Sequence, residues 1–550
     1  MKKVPSRQES FLDAIPTIKQ KALRINLNEN IYGTFAEIGA GQETVRQFFR
    51  VGGASGTIAK AMSAYDKSFS DDIYGIEDNK RYVTETRLRK MLKHETSLIE
   101  KRIKRKNNEN KMFFCYANTV ATVDFAKKFN GHGWVGIRFQ IDPKQDYNEI
   151  ILHVRFKENA ASQQQETLGV LGTNLIYSAF YQFNTPKKII KYLYDHLNND
   201  QLEIDTVNFS GPIFKDVDNR ILSLELVKNG MTEAVMFGPD GNNLLPAAAL
   251  YKKNILALRG RFRPVTKVNE EMYENSLEMF LNERHVDKKD AIVIFEITLA
   301  DLTSDGEIDE KDFMDRAKLL GLLGETVLIS NYKEYYRLVE YFSLYTKKKI
   351  GLCMGVNNLV KIFDPKFYTH LSGGILEAFG KLFFKSLKVY LYPVLTEEDE
   401  IINSDNLKVH PRMKELYKFF KFNGKVVDVA NFKKESLSIY SHEVLEKIKN
   451  NETGWEKLLP KAVGSKIKQI LENKFSIWWK KEIALPKLGA DALNHNKLRT
   501  YSTVKSSFTI EPYIQLAKNR NQRAWLTRLR ISAHNLRVEQ GRYSPNYPPQ

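Results

Sequence analysis

From about residue 200 onward, short β-branched runs alternate with helical repeats, and this alternation limits the fold more than any other feature of the chain. Strands are predicted at Leu202–Phe209, Ala234–Phe237, Ile255–Leu258, Ala291–Ile297, Thr326–Ser330, Lys349–Met354 and Lys388–Tyr392. Helical periodicity falls between them, at Arg220–Lys228, Glu270–Glu283, Glu310–Leu320, Tyr332–Tyr345 and Gly374–Phe384. Strands of this kind, separated by helices, form a largely parallel sheet covered on both faces. The expected class is therefore α/β, doubly wound or barrel-like, with ligands at the carboxyl ends of the strands in either form.

The first 200 residues have a different texture. Residues 5–25 suggest a short helix with Phe11, Ile15 and Ile18 on one face, and residues 80–106 a longer one with Leu88, Met91, Leu92 and Leu98 aligned. Residues 31–75 are rich in glycine and small side chains, with Thr34–Ile38 a poor strand. Strands are expected at Met112–Tyr116, Gly133–Gln140 and Glu149–Phe156. The expected segments are a mainly helical, glycine-rich region over 1–110, an α+β segment over 111–200, a β/α domain over 201–470 and a basic helical tail over 471–550.

Charge supports the last boundary. The chain of 550 residues carries +18, and residues 471–550 hold 14 Lys+Arg against 5 Asp+Glu, net +9, half of the excess. The rest is a mild surplus that suits small anions as well as nucleic acid. The cluster Lys101–Lys106 reads as a solvated helix end. Two distant cysteines, Cys115 and Cys353, exclude a disulfide scaffold and a thiolate zinc site. No apolar run reaches the roughly 20 residues that span a bilayer, and the N-terminus lacks an apolar signal segment. A cytoplasmic protein without membrane partners is expected.

Several segments carry candidate chemistry. Glu37-Ile38-Gly39-Ala40-Gly41-Gln42 places an acidic residue before a G-x-G turn, the arrangement in which glycines admit a nucleotide-like ligand, although the third glycine is missing. Glu37 is one candidate catalytic residue. Gly52-Gly53-Ala54-Ser55-Gly56-Thr57 leads into an expected helix at Ile58 and could form an anion cradle from Gly52, Gly53, Gly56 and Thr57, with Arg50 adding charge. It lacks the Gly-Lys-Ser/Thr of a P-loop. His132, between Gly131 and Gly133, is the second candidate catalytic residue, as acid or base, and Arg138 follows on the same predicted strand. Gln163–Glu166, after His153 and Arg155, is more polar than a loop needs.

Arg259-Gly260-Arg261-Phe262-Arg263 closes a predicted strand with three arginines in five residues. Guanidinium groups grip phosphate or carboxylate through paired N–H donors, so Arg259, Arg261 and Arg263 form the leading ligand-binding cluster. Asp301, Asp305, Asp309 and Asp312 partly match a calcium loop, but a turn followed by an N-capped helix explains them without metal. No metal site is assigned, and no cofactor is identified.

Two resemblances extend this reading. Tyr32–Glu43 (YGTFAEIGAGQE), Phe48–Gly53 (FFRVGG), Ala64-Tyr65-Asp66, Gly133–Gln140 and Leu328–Asn331 resemble an uncharacterised bacterial family frequent in Bacteroidetes, over residues 5–470. Relatives carry names that include nicotinate-nucleotide adenylyltransferase and TonB-dependent receptor. This chain lacks a nucleotidyltransferase His-x-Gly-His signature and the membrane barrel of a receptor. The tail, through Lys497–Tyr501, Glu511-Pro512-Tyr513, Leu526–Ser532 and His534–Tyr543, resembles the C-terminal region of non-LTR retroelement polyproteins, without their polymerase active site.

The expected function is binding of a phosphorylated or nucleotide-like small molecule by an enzyme-like body. If the body is an enzyme, a transferase on such a substrate is expected, a nucleotidyltransferase among them. The alternative is a non-catalytic nucleic-acid or protein-binding module using Arg520, Arg523, Arg528 and Arg530 of the tail. On that alternative, deleting residues 475–550 abolishes salt-sensitive RNA or DNA binding in a mobility-shift assay while the body stays folded. Unchanged affinity after the deletion would sink it.

Overall fold

A computed structural model describes residues 15–484, except 79, 105–107, 127–129, 304–305, 307, 385 and 451. The tail arginines Arg520, Arg523, Arg528 and Arg530 lie outside the described residues. The chain divides into two compact units, Met1–Pro460 and Lys461–Gln550. In the second, the described part is one helix, Lys461–Ala484.

The first unit holds two large open sheets. Its first half runs α1 (Ile18–Asn26), β1 (Ile31–Gly39), α2 (Glu43–Arg50), β2 (Ile58–Ala64), α3 (Lys67–Tyr74), α4 (Glu85–Arg102), β3 (Met112–Ala121), β4 (His132–Phe139), β5 (Asn148–Phe156), α5 (Ala161–Tyr181), α6 (Pro186–Leu193), β6 (Leu202–Ser210) and α7 (Asn219–Lys228). Six strands line up as β2-β1-β3-β4-β5-β6. β1 is parallel to both neighbours, and the ladder from β3 to β6 is antiparallel.

Strand alternation sends successive side chains to opposite faces. Phe35, Phe114, Val135, Ile137 and Leu152 pack under α1, α2, α5 and α6. Ala36, Ile38, Cys115, Ala117, Trp134 and Ile151 face α4 instead. Lys21 of α1, fully buried, donates to Asp195 at 2.5 Å and to Asn174 of α5 at 2.8 Å, which ties the two helices together.

The second half runs β7 (Ala234–Phe237), β8 (Asn243–Leu244), β9 (Asn254–Arg259), α8 (Lys267–Leu281), β10 (Ala291–Thr298), α9 (Glu310–Gly321), β11 (Thr326–Ser330), α10 (Tyr335–Tyr345), β12 (Ile350–Gly355), α11 (Val356–Ile362), α12 (Gly374–Leu382), β13 (Leu387–Tyr392), α13 (Lys414–Phe422), β14 (Val426–Asp428) and α14 (Ser441–Lys449). Eight strands line up as β14-β13-β12-β9-β10-β11-β7-β8. The six from β14 to β11 are parallel; β7 and β8 add an antiparallel edge. Helices α10 to α13 cover one face. On the other, α8 packs Ser276 on Cys353 at 3.0 Å and Phe280 against Tyr390. From β7 onward the alternation is therefore a doubly wound open sheet and not a closed barrel, whereas β6, the first strand after residue 200, joins the first sheet antiparallel to β5.

Three local expectations are corrected. Residues 31–39 form a full central strand, not a poor one, and Gly39 at φ +81° brings that strand end against Val120, where a Cβ would meet the carbonyl oxygen at 2.1 Å. The helix expected at Ile58 is strand β2. Gln163–Glu166 lies not in a loop but on the first turn of α5, a helix buried on most sides.

That burial has a measurable consequence. A Cβ on Gly172 of α5 would sit 2.4 Å from Thr44 and 2.6 Å from the Tyr116 hydroxyl. Gly172→Val is expected to lower stability by about 1–3 kcal/mol through overpacking, read as a reduced urea midpoint; an unchanged midpoint would contradict this packing.

Candidate functional site

The two candidate catalytic residues do not meet. Glu37 on β1 pairs in register with Asn118 on β3, which pairs with Val135 on β4. His132 stands three residues from Val135, so its side chain leaves the opposite face of the sheet. Glu37 lies under α2 and His132 on the α4 face. Arg138 shares the face of His132 but sits six residues along β4, roughly 20 Å away. It is bound to Glu149, which Arg89 also holds at 2.7 Å, and its guanidinium lies over the Tyr147 ring.

Glu37 is almost fully buried beside Tyr116, and its Oε1 has no hydrogen-bond partner. Burial pushes its carboxyl up to about 8; the Val45 backbone N–H pulls the other way, and Glu43 adds repulsion. Tyr116 and Thr44 share a hydroxyl contact at 3.0 Å. The Gly39–Gly41 turn is filled by its own surroundings. Gln42 donates to the Gly39 carbonyl at 2.6 Å, and a Cβ on Gly41 would strike Asn118 at 1.9 Å.

The glycine cradle lies elsewhere again. Gly52 and Gly53, both at positive φ, and Gly56 form a turn entering β2. Ile58 pairs with Gly33, so this turn sits towards the amino end of the parallel strands, beyond a pairing point four residues, roughly 13 Å, along β1 from Glu37. The Thr57 hydroxyl donates to the Asn26 carbonyl at 2.8 Å, and Asn26 donates to the Gly52 carbonyl at 2.7 Å. No helix follows, so no helix dipole faces the turn. Arg50 is exposed at the end of α2. Asn26 thus ties Gly52 and Thr57 together at the entry to β2, with Arg50 exposed nearby.

The three arginines after β9 do come together. β10 and β11 extend to one side of β9, while β12, β13 and β14 extend to the other, so the winding reverses between β9 and β12. Crevices at the carboxyl ends of such a reversal are where open α/β sheets bind ligands. Arg259 ends β9, and two adjoining cavities of about 530 and 610 Å³ open there, both lined by Arg259, Gly260, Arg261 and Asp301.

Two of the three arginines are structural anchors. Arg259 grips Glu296 with both ends of its guanidinium, at 2.7 and 2.8 Å, and donates to the Lys333 carbonyl at 3.0 Å. Its plane lies 4.4 Å from the Tyr335 ring. Glu296 is fully buried and also accepts the Ser330 hydroxyl at 2.6 Å. Arg263 reaches Asp312 at 3.0 Å, and Arg316 donates to the same carboxylate and to the carbonyls of Arg261 and Asp301. The Arg261 backbone is therefore braced, while its side chain is 59% exposed, with Asp301 at 3.8 Å.

Lys333 and Lys361 add positive charge on one side and Lys449 of α14 on the other, where His442 also lines the cavity; Asp301, Glu334 and Glu446 are the acidic side chains of the same linings. The three lysines and His442 were not legible in the sequence because they are scattered over three segments. Their common signal is a position just beyond a strand or on the helix packed over it.

Among the described residues, no group of three or more His, Cys, Asp or Glu side chains is arranged to hold a metal ion. Asp309 caps α9 by accepting the Lys311 N–H at 2.9 Å. Also among the described residues, no helix is long and apolar enough to cross a membrane.

No family model matches the chain, and no curated protein does. Solved structures that align with it include a competence-damaged protein (CinA) superfamily protein from Enterobacter cloacae, at 12% identity over 32% of this chain and 98% of that one, with a TM-score of 0.22. Another is a competence/damage inducible protein from Agrobacterium tumefaciens, at 15% identity over 26% and 82%, with a TM-score of 0.18. Likeness at this level assigns nothing to this chain.

The buried Glu37 makes stability pH-dependent. Its carboxyl titrates near 8 in the folded chain against an ordinary 4.5, so the folded state holds the extra proton between those values. Stability therefore falls as pH rises through that window. Glu37→Gln is expected to gain on the wild type by on the order of 3–5 kcal/mol between pH 4.5 and pH 8, read by chemical denaturation at both. A pH-independent difference would show that Glu37 is charged in the fold.

Proposed function

We propose that the chain binds a phosphorylated or nucleotide-like small molecule in the crevice at the carboxyl ends of β9 and β12. One observation carries the reading: Arg261 is an exposed guanidinium on a braced loop, shared by two cavities at the point where the winding reverses. Holding the backbone rigid removes ordering cost from binding, and the exposed guanidinium offers paired donors to a phosphoryl group. Arg259 and Arg263 take no direct part. Their ion pairs with Glu296 and Asp312 set where Arg261 stands.

The loop Gly260–Thr266 carries a single glycine. The crevice therefore does not offer the three-glycine backbone approach of dinucleotide sites. Side-chain charge rather than backbone N–H groups does the binding.

Thermal shift measurements with pyrophosphate, nucleoside phosphates and sugar phosphates test this. A ligand at 100 times its dissociation constant stabilises by about 2.7 kcal/mol, which raises the melting temperature by several degrees. Arg261→Ala is expected to weaken affinity about 10- to 100-fold, the worth of one charged hydrogen-bonding group, and to leave the unliganded melting temperature unchanged. No shift of the wild type with any of these ligands would overturn the reading.

A further inference from the structure

On the α4 face of the first sheet, three titratable side chains stand in a row on three adjacent strands. His132 begins β4, His153 lies on β5 and Asp205 on β6. His132 Nδ1 is 3.3 Å from His153 Nε2, and His153 Nδ1 is 2.7 Å from Asp205 Oδ1. The side chains of His153 and Asp205 are 2% exposed. His132 is only half-buried, and its Nε2 has no hydrogen-bond partner among the described residues.

We propose that His132, His153 and Asp205 form a proton relay that accepts a proton at His132 Nε2, making His132 the general base for a ligand bearing an ionisable O–H or N–H group. The site is separate from the β9–β12 crevice and does not depend on it.

The geometry dictates the proton inventory. An ionised Asp205 accepts the His153 Nδ1–H, which leaves His153 Nε2 as a lone pair. His132 then donates its Nδ1–H to that lone pair and keeps Nε2 bare. When Nε2 takes a proton from the ligand, the Nδ1 proton passes to His153 Nε2. His132 is neutral again, now as the Nε2–H tautomer, and the positive charge rests on His153 beside the Asp205 carboxylate. One proton enters, one moves inward, and the ligand is left with the electron pair.

The surroundings favour storing charge inside rather than on His132. Burial and then the neighbouring His153 lower His132 to about 4, so it resists holding a positive charge itself. Arg155, the register partner of His132 across β5, is turned to the Tyr345 hydroxyl at 2.7 Å and towards Glu203 at 3.6 Å. Around the relay stand Arg155 on β5, Glu203 and Asp205 on β6, and Tyr341 and Tyr345 of α10. The two carboxylates, Glu203 and Asp205, outnumber the one guanidinium there. Asp205 meets His153 through Oδ1, and its buried Oδ2 has no hydrogen-bond partner. The Trp134 ring, centred 4.9 Å from the His153 ring, shields the buried end. His153 and Asp205 are positioning residues, and His132 is the group that meets the ligand.

Diethyl pyrocarbonate acylates bare imidazole nitrogens, and peptide mass mapping reads His132 separately from the other histidines. In the full chain His132 is expected to react at pH 8. Asp205→Asn, which removes the charge that stabilises protonated His153, is expected to shift the pH midpoint of His132 acylation down by about one pH unit or more. A merely packing role for the cluster would not move that midpoint. An unreactive His132 in the wild type, or the same midpoint in Asp205→Asn, overturns the relay. Histidine-selective ¹⁵N NMR on the unaltered chain provides a second test that needs no variant. The relay requires the ¹⁵N signals of His132 and His153 to move together within the same titration step, because coupled sites titrate as a pair; a first step registered by only one of the two rings overturns it.

Discussion

The Arg259–Glu296 ion pair is the interaction on which the crevice depends. Removing two charges from water is costly, and a buried pair stabilises only when its geometry and remaining hydrogen bonds are satisfied. Here the guanidinium is bound at both ends, stacked on Tyr335 and joined to the Lys333 carbonyl, while Glu296 also holds Ser330. The pair thereby clamps the ends of β9, β10 and β11 and the entry to α10. Arg263, Asp312 and Arg316 brace the following turn from the other side. Binding charge at Arg261 rests on a platform assembled from charges that are themselves neutralised.

The first sheet is organised by a different constraint. Apart from the exposed edge strand β2, its strands are covered on both faces, so alternate residues are committed to one of two separate cores. Glu37 faces the layer of α2 and α5, while His132, His153 and Asp205 face the layer of α4 and α10. A carboxyl and an imidazole that look compatible in the sequence are divided by the thickness of the sheet. Each is left with its own electrostatics: a lone buried acid in one layer, and a graded row from half-buried to buried in the other.

The strands and helices after residue 200 were legible because β-branched runs and helical repeats alternate there, broken only where Ala234–Phe237 and Ile255–Leu258 follow one another with no expected helix between them. β7 and β11 fall at their expected bounds, the other expected elements differ by a few residues at the ends, and β8, β14, α11, α13 and α14 were not expected. Two regions before residue 200 were not legible either. In β1 the aromatic and β-branched residues are interrupted by Gly33, Ala36 and Gly39, with Gly33 packed against Phe114 and Gly39 against Val120, and β2 is an exposed edge strand of mainly alanine, lysine and serine. α5 is buried on most sides, and a helix without a polar face has no amphipathic signature. Of the site residues, the arginine cluster was legible as charge at a strand end. Which arginine remains open to a ligand was not, because that depends on Glu296 and Asp312, 37 and 49 residues further along the chain.

The sequence alone determined the α/β class, the absence of a disulfide framework and the concentration of basic residues in the last 80 positions, since each follows from local periodicity or simple counting. Only the tertiary structure decided that the sheet is open, where its winding reverses and which side chains share a face. Strand order and register arise from long-range pairing, and a shift of one residue moves a side chain to the other core. That is why Arg261 emerges as the exposed guanidinium of three, and why His132 finds His153 and Asp205 rather than Glu37.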